Sequence, residues 1–373
     1  MIDSLRLKNF KCFEDQRLYF KRLTLLTGVN GMGKSTILQA MLLLRQSHLR
    51  DWLRKNGLAL NGELVQLGTA RDILYEGAME NQIEIDIELK NGLQAKWTFD
   101  YNHEADVLNQ LSAEIPEEIF ESGLFTDNFH YLQAERIGPR TWFPMSDYLA
   151  RQRRQLGSRG EYAAHFLQLF GEEKIPHNSM EHFKAKSNSL LAQVEAWTNE
   201  ISPGTRIHVT SYSGMDLVNL QYSFALGKQV SNFYRATSVG FGITYTLPIL
   251  IALLSSQQGA LVLLENPEAH LHPQGQVRIG EILALAANYG IQVVVETHSD
   301  HILNGIRIAV QGGRLSAEHI SLNFFERRDY PAGSRTTVAT PNMDQNGRID
   351  YWPEGFFDEW DKSLEKLLKP LGN

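Results

Sequence analysis

Apolar positions along this chain gather into two stretches of similar pattern, separated by a more polar middle. In the first, residues 4–9 alternate and residues 18–27 run nearly continuously apolar, both strand patterns. A glycine-rich turn follows, and residues 35–44 (STILQAMLLL) then predict a buried helix. In the second stretch, from residue 238, the pattern predicts helices over 247–254, 274–287 and 300–310 and buried strands over 260–264 (ALVLL) and 291–295 (IQVVV). Continuous apolar strands alternating with helices predict a parallel sheet covered on both faces. In the middle, residues 83–89 (IEIDIEL) alternate cleanly, and Asn91-Gly92 turns them into a second strand over 93–99. A surface helix is expected over 181–200, ending near Pro203-Gly204, with strands over 206–210 and 217–224. The expected class is therefore α/β, in four regions. These are an N-terminal lobe (1–50), an insert with a β-subdomain and a helical segment (51–237), a C-terminal lobe (238–320) and a small C-terminal cap (321–373).

Composition narrows the picture. A length of 373 residues with 43% hydrophobic positions is enough for a large core in one or two domains. The net charge of −7 argues against binding nucleic acid through a global positive field, leaving only local basic patches. A single cysteine, Cys12, excludes a disulfide framework and a Cys-rich zinc site. The opening MIDSLRLKNF has no apolar signal region, and the longest apolar run, 247–254, is far below the ~20 residues of a membrane span. A soluble, cytoplasmic protein without membrane contact is expected.

The strongest chemical signal is Gly28-Val-Asn30-Gly31-Met-Gly33-Lys34-Ser35-Thr36, which fits G-x-x-x-x-G-K-[ST] between a predicted strand and helix. Glycines let successive backbone N–H groups cradle phosphates, Lys34 reaches the terminal phosphates, and Ser35 places a hydroxyl on Mg²⁺. At the end of the 260–264 strand, Glu265 either supports the Mg²⁺ hydration shell or caps the helix that follows. His270 and His272 beside carboxylates could ligate a transition metal or sit in an interface loop. His298, just past the 291–295 strand, can sense or polarise a terminal phosphate. Ser238 and Gly240 open a helix whose N-terminus is a second anion site, useful to a dimer in which it grips nucleotide held by the partner.

Taken in order, these segments resemble an ABC-type ATPase head of the SMC/RecF/OLD kind. IDSLRLKNFKCF through LTLLTGVNGMGKST is similar to the N-terminus of such heads, SVGFGITYTLPIL to a degenerate signature, LVLLENPEAHLHP to a Walker B and D-loop, and VVVETHSDHIL to a switch-histidine segment. SRGEYAAHFL and WPEGFFDEWDKSL resemble a bacterial AAA-type ATPase family whose C-terminal domain has no assigned function. The resemblance implies a P-loop fold that binds ATP with Mg²⁺ between two facing copies of the chain, in DNA maintenance or anti-phage defence. It implies phosphate contacts from Gly28 to Thr36, a trans contact from Ser238 and Gly240, a switch at His298, and metal support from Ser35 and Glu265. A Mg²⁺-monitoring glutamine is expected at Gln133, with Gln66 as the rival.

One departure concerns catalysis. Such enzymes place a glutamate directly after the Walker B carboxylate, where this chain has Asn266. An amide can orient water but cannot take its proton, and losing a general base costs about 10²–10⁴-fold. Glu268 could substitute if its loop turns inward; otherwise the chain is a slow ATPase or a non-hydrolysing scaffold. The insert lacks the sustained heptads of SMC arms, and no acidic cluster of a Toprim nuclease follows His298. Any cleavage of nucleic acid is therefore expected from a partner nuclease or effector. Finally, Arg136, Arg140, Arg151, Arg153, Arg154 and Arg159 form a basic stretch, read as a solvated face or a contact for DNA or an acidic partner.

Overall fold

A computed structural model describes residues 1–227, 229–330 and 333–369; residue 228 of the expected insert and residues 331–332 and 370–373 of the expected cap lie outside it. The chain opens with β1 (Ile2–Phe10), β2 (Phe13–Tyr19), β3 (Leu23–Gly28) and α1 (Lys34–Leu49). Next come β4 (Gly57–Ala59), β5 (Gln82–Leu89), β6 (Gln94–Asp100), β7 (Val107–Glu114), β8 (Phe129–Leu132) and the short β9 (Phe143–Pro144). Helices α2 (Ala163–Phe170) and α3 (Leu190–Ile201) precede β10 (Thr205–Tyr212), β11 (Leu217–Leu226), β12 (Gln229–Val230) and β13 (Tyr234–Arg235). The last part holds α4 (Phe241–Ser255), β14 (Leu261–Glu265), α5 (Pro273–Tyr289), β15 (Gln292–Glu296), α6 (Asp300–Gln311), β16 (Ile320–Tyr330), β17 (Gly333–Ala339) and α7 (Glu359–Leu368).

Three sheets result. The central one is ordered β17-β16-β3-β15-β14-β8, parallel except for the edge strand β17. An antiparallel sheet runs β2-β1-β5-β6-β7-β4, and a smaller one gathers β9 to β13. The central sheet is buried on both faces, which is why its strands read as continuous apolar runs. Val293 and Val295 of β15 face a core shared with α4, α5 and α6, whereas Val294 faces one shared with α1 and the antiparallel sheet. No helix among the described residues is long and apolar enough to cross a membrane.

Three sequence expectations are corrected. The single strand expected over 18–27 is two, because the chain crosses from one sheet to the other at residues 20–22, and the buried Phe20 hides the break in hydropathy. The helix expected over 181–200 begins only at Leu190, where the Ser189 hydroxyl accepts the Ala192 N–H as a cap. It is also no surface helix, for Leu190, Val194 and Trp197 are in the core. Conversely, α1 runs one turn beyond residue 44, because Arg45, Gln46 and Ser47 are buried with their polar groups satisfied by Leu124, Thr126, Ala59 and Leu43. Residues of the expected insert and cap are woven into the sheets: β8 and β16 belong to the central one, and β4 to β7 complete the antiparallel one.

Candidate functional site

Parallel strands with short connections put the C-terminal ends of β3, β15, β14 and β8 along one edge, where open α/β sheets bind ligands. The turn after β3 is forced to be glycine-rich. A Cβ on Gly28 would sit 2.2 Å from the Phe325 carbonyl oxygen on β16, and Gly33, at φ 94° before α1, would push into Cys12 Sγ at 2.5 Å. No side chain caps α1, so its first N–H groups are available to an anion. Lys34 folds over the turn, its Nζ donating to the carbonyls of Gly28 and Val29 at 2.9 Å each. Burial pushes the ammonium pKa down, against the opposing charge of Glu296. Asn30 and Gly31 are exposed in the turn, and Thr36 is buried against Cys12.

Next to this turn stands a residue to which the sequence reading gave no role. Glu296, the last residue of β15 and the register partner of Glu265, accepts the Ser35 hydroxyl at 2.9 Å. It is 6% exposed, and its Oε2 is buried without a hydrogen-bond partner. Burial pushes its carboxyl up to about 7; the Ser35 bond and Lys34 oppose this, and Glu265 and Glu268 add to it. The signal is legible in the sequence, since VVVE repeats the pattern LLE of the neighbouring strand, with His298 two residues further on.

Glu265 is held differently. Its carboxylate accepts the Tyr131 hydroxyl at 2.8 Å and the Ala134 N–H at 3.1 Å. It does not cap the next helix, which starts at Pro273 with His272 as its cap. Arg136, 1% exposed, donates to the carbonyls of Gln133, Glu265, Asn266 and Tyr245, so one guanidinium ties the ends of β8 and β14 to α4. Burial lowers its pKa to about 10.

Asn266 adopts a left-handed conformation (φ 43°), which asparagine tolerates, and its N–H donates to the Glu296 carbonyl. Its loop does turn Glu268 inward, where the carboxylate accepts the Thr297 hydroxyl at 2.8 Å and the His298 N–H at 2.9 Å. Burial, reinforced by Lys34, depresses the His298 pKa.

Gln133 lies immediately beyond β8 on this edge. Gln66 does not: its loop is pinned to Gln46 through the Val65 N–H, about 18 Å along α1 from Lys34 at 1.5 Å per residue. Ser238 and Gly240 stand elsewhere, exposed at the start of α4, lining an open groove with His270 and His272 but with no residue of the phosphate turn. The two histidines are occupied structurally, His272 as a cap and His270 against Phe241 and Tyr245. No group of three or more His, Cys, Asp or Glu suited to a metal ion occurs among the described residues. The donors at the phosphate turn are oxygens, the Ser35 hydroxyl and a Glu296 oxygen without a partner, which fits a hard cation that keeps most of its water, such as Mg²⁺.

The basic stretch is not a free positive face. Arg136 is buried, Arg151 pairs with Asp147, Arg153 with Asp127, Arg154 with Glu173 and Arg159 with Glu135. Two of these acids lie outside the stretch and were invisible to a local count of charge. Of the six, Arg136 is bonded to carbonyls rather than to an acid, and only Arg140 has neither kind of partner among the described residues.

Residues 23–304 match the family model described as "AAA domain, putative AbiEii toxin, Type IV TA system", and residues 315–367 match one described as a protein of unknown function, DUF3696. The chain is 23% identical over 324 residues to an OLD nuclease of Thermus scotoductus, covering 80% of this chain and 59% of that protein. It thus spans under two thirds of that relative's length. Its fold is similar to an Smc head solved bound to the C-terminal winged-helix domain of ScpA, with a TM-score of 0.54 at 14% identity, covering 91% of this chain and 97% of that one.

Proposed function

The chain belongs to the AAA-domain family of the putative AbiEii toxin type, with an ABC-type ATPase head of the SMC/OLD kind, and from that premise we propose that it binds ATP with Mg²⁺ at the Gly28–Thr36 turn and hydrolyses it slowly between two facing copies, driving a conformational switch. The observation that carries this reading is the phosphate turn itself. Uncapped N–H groups of α1, the folded-over Lys34 and the Ser35 hydroxyl converge on the ligand-binding edge of a parallel sheet. Lys34, freed from its two carbonyls, would meet the terminal phosphates. Bound Mg²⁺ would neutralise phosphate charge. Asn266 can hold a water but not deprotonate it, and the one carboxylate in its loop, Glu268, is committed to Thr297 and His298. Slow turnover follows.

In this reading the exposed start of α4, where Ser238 and Gly240 line an open groove, would complete the nucleotide site of a second copy. ATP would then close two heads, and loss of the terminal phosphate would release them. The Arg136 bridge from the ends of β8 and β14 to α4 supports coupling between the two halves of such a site. The setting we infer is defence or DNA maintenance, supported by the likeness to an OLD nuclease.

The test is phosphate release and nucleotide retention by purified protein, with Lys34→Ala as the blank. Expected is slow turnover that falls by about 10²–10³-fold or more in the variant, with a mass doubling in light scattering on adding ATP. Retained ATP with no turnover would replace the enzyme by a locked scaffold, and no nucleotide binding would overturn the reading altogether.

A further inference from the structure

We infer that the cavity between the last turns of α1, the edge strand β8 and residues 147–161 is a second small-molecule site, one that takes a nucleoside monophosphate through Arg45, and that its occupant is an effector of the ATP edge. The site stands apart from the ATP reading above; only the effector role rests on it. The cavity measures about 300 Å³, within the range of small-molecule sites, and no residue of the phosphate turn lines it. Arg45 lies about 16 Å along α1 from Lys34, at 1.5 Å per residue. Two buried polar groups in the wall lack partners. Arg45 is 2% exposed and pairs with no acid among the described residues. Its hydrogen bonds, to the carbonyls of Leu124 and Thr126, both leave from Nη1, so Nη2 and Nε remain open to an acceptor. Arg136, equally buried, is the contrast, for it engages all three of its nitrogens on carbonyls. Burial lowers the Arg45 pKa to about 9, as it does for a cation without a counter-charge. His130, 7% exposed, makes no side-chain hydrogen bond among the described residues. Burial holds its pKa down at about 4, so at pH 7 the neutral ring offers one donor and one acceptor. A buried, unpaired guanidinium in the wall of a cavity calls for an anion. Phe129, whose ring centre is 3.9 Å from the Arg45 guanidinium carbon, supplies with Tyr131 and Leu156 an apolar wall for a flat ring. Glu63 and Glu161, also in the wall, accept only, which suits amino and hydroxyl donors on the ligand. A phosphate, a flat ring and such donors together describe a nucleoside monophosphate. The wall also reaches the ATP edge: the Tyr131 hydroxyl donates to Glu265 at 2.8 Å, and the Ser158 carbonyl accepts the Gln133 N–H at 2.9 Å.

The experiment titrates AMP calorimetrically into the wild type, Arg45→Met, Leu49→Trp and Lys34→Ala, with adenosine and inorganic phosphate as probes that each lack half of the ligand. Methionine keeps an apolar stem beside Phe129 and removes the charge. Leu49 lines the cavity from the exposed end of α1, so tryptophan there fills the space and leaves the Arg45 carbonyl bonds alone. AMP should bind the wild type and Lys34→Ala alike, and Arg45→Met about 10–100-fold more weakly, the effect of losing a hydrogen bond to a charged group. Leu49→Trp should lose as much, and adenosine and phosphate should each bind about tenfold or more below AMP. If urea unfolding shows that Arg45→Met does not fold, Leu49→Trp decides. The inference is overturned if AMP does not bind the wild type, if either folded cavity variant binds it as tightly, or if phosphate alone matches it. Loss of AMP binding in Lys34→Ala would place the nucleotide in the phosphate turn and overturn it too. For the effector role, AMP at saturating ATP should change turnover by the wild type and leave that of Leu49→Trp unmoved. Bound AMP with unchanged wild-type turnover overturns that role alone. A wild type that binds AMP in the cavity but no ATP upholds the site and removes the ATP reading.

Discussion

Glu84 on the antiparallel sheet and Glu296 on the central sheet are similarly hidden, at 8% and 6% exposure, yet their surroundings are opposite. Glu84 sits in a lattice of cross-strand charges with Lys8 at 3.2 Å, Lys96 at 2.8 Å and Arg6 at 3.7 Å. Burial pushes its carboxyl up, but hydrogen bonds and charge from Lys96 and Lys8 outweigh it, and the group is held below the usual range. For Glu296 burial wins, and Ser35 and Lys34 offset it only in part. The lattice residues alternate along β1, β5 and β6 and so share one face, where register pairs such as Lys8 with Glu84 and Arg6 with Asp86 fix the alignment of strands. Charge there is spent on structure. At the C-terminal edge of the central sheet, beside the phosphate turn, an acid is instead hidden with one oxygen bonded to Ser35 and the other unpaired.

The largest expected effect breaks the lattice. Glu84→Gln removes the carboxylate that Lys8, Lys96 and Arg6 share, while Asp15, Asp86 and Glu80 still pair with Arg6 and Lys8, and the loss should be about 2 kcal/mol, between that of an exposed and of a buried pair. Because the folded carboxyl is depressed, this stability is present above the unfolded value of about 4.5 and vanishes as pH falls through the folded one. Urea unfolding at pH 7 and at pH 3 should therefore show a deficit at the first and little at the second.

The opposite sign is expected at Glu296. Its folded carboxyl is raised to about 7, so the empty protein loses stability as pH climbs from about 4.5 to about 7 and stays level above that, by up to about 3 kcal/mol. Glu296→Gln should abolish that slope and leave the empty protein about 1–2 kcal/mol more stable at pH 8. Lys34, Glu265 and Glu268 are the charged groups facing this carboxyl, and all three remain in the variant. A variant less stable than wild type at pH 8 would place Glu296 with Glu84, as a structural acid.

The contrast between the sheets also explains what the sequence made legible. The central strands are continuous apolar runs because they are covered twice, and the phosphate turn announced itself because backbone geometry dictates its glycines. Alternation gave β5 and β6 for the opposite reason, one face being polar. What stayed hidden was long-range. Nothing local to Arg136 says that its guanidinium is buried on four carbonyls, and nothing near Arg153 or Arg154 points to Asp127 or Glu173. The break between β2 and β3 was masked by Phe20, and β16 was assigned to a cap because a strand added from a distant segment carries no mark of the sheet it joins.

The smallest test asks on which side of the comparison Glu265 falls. Like Glu84 it has both oxygens engaged, but by neutral donors, the Tyr131 hydroxyl and the Ala134 N–H. Tyr131→Phe removes one of these and nothing else. A hydrogen bond to a charged group contributes about 1.5–3 kcal/mol when fully buried, and Glu265 is only half-buried, so water can replace part of it and about 1 kcal/mol should be lost. Burial, with Glu265 adjacent, pushes the Tyr131 phenol far above its ordinary range. The donor therefore keeps its proton throughout neutral and mildly alkaline solution, and the deficit in urea unfolding should be the same at pH 7 and pH 9. A deficit that disappeared at pH 9 would mean that the phenol ionises beside Glu265. A gain in stability would mean that Glu265, like Glu296, is held against its own preference.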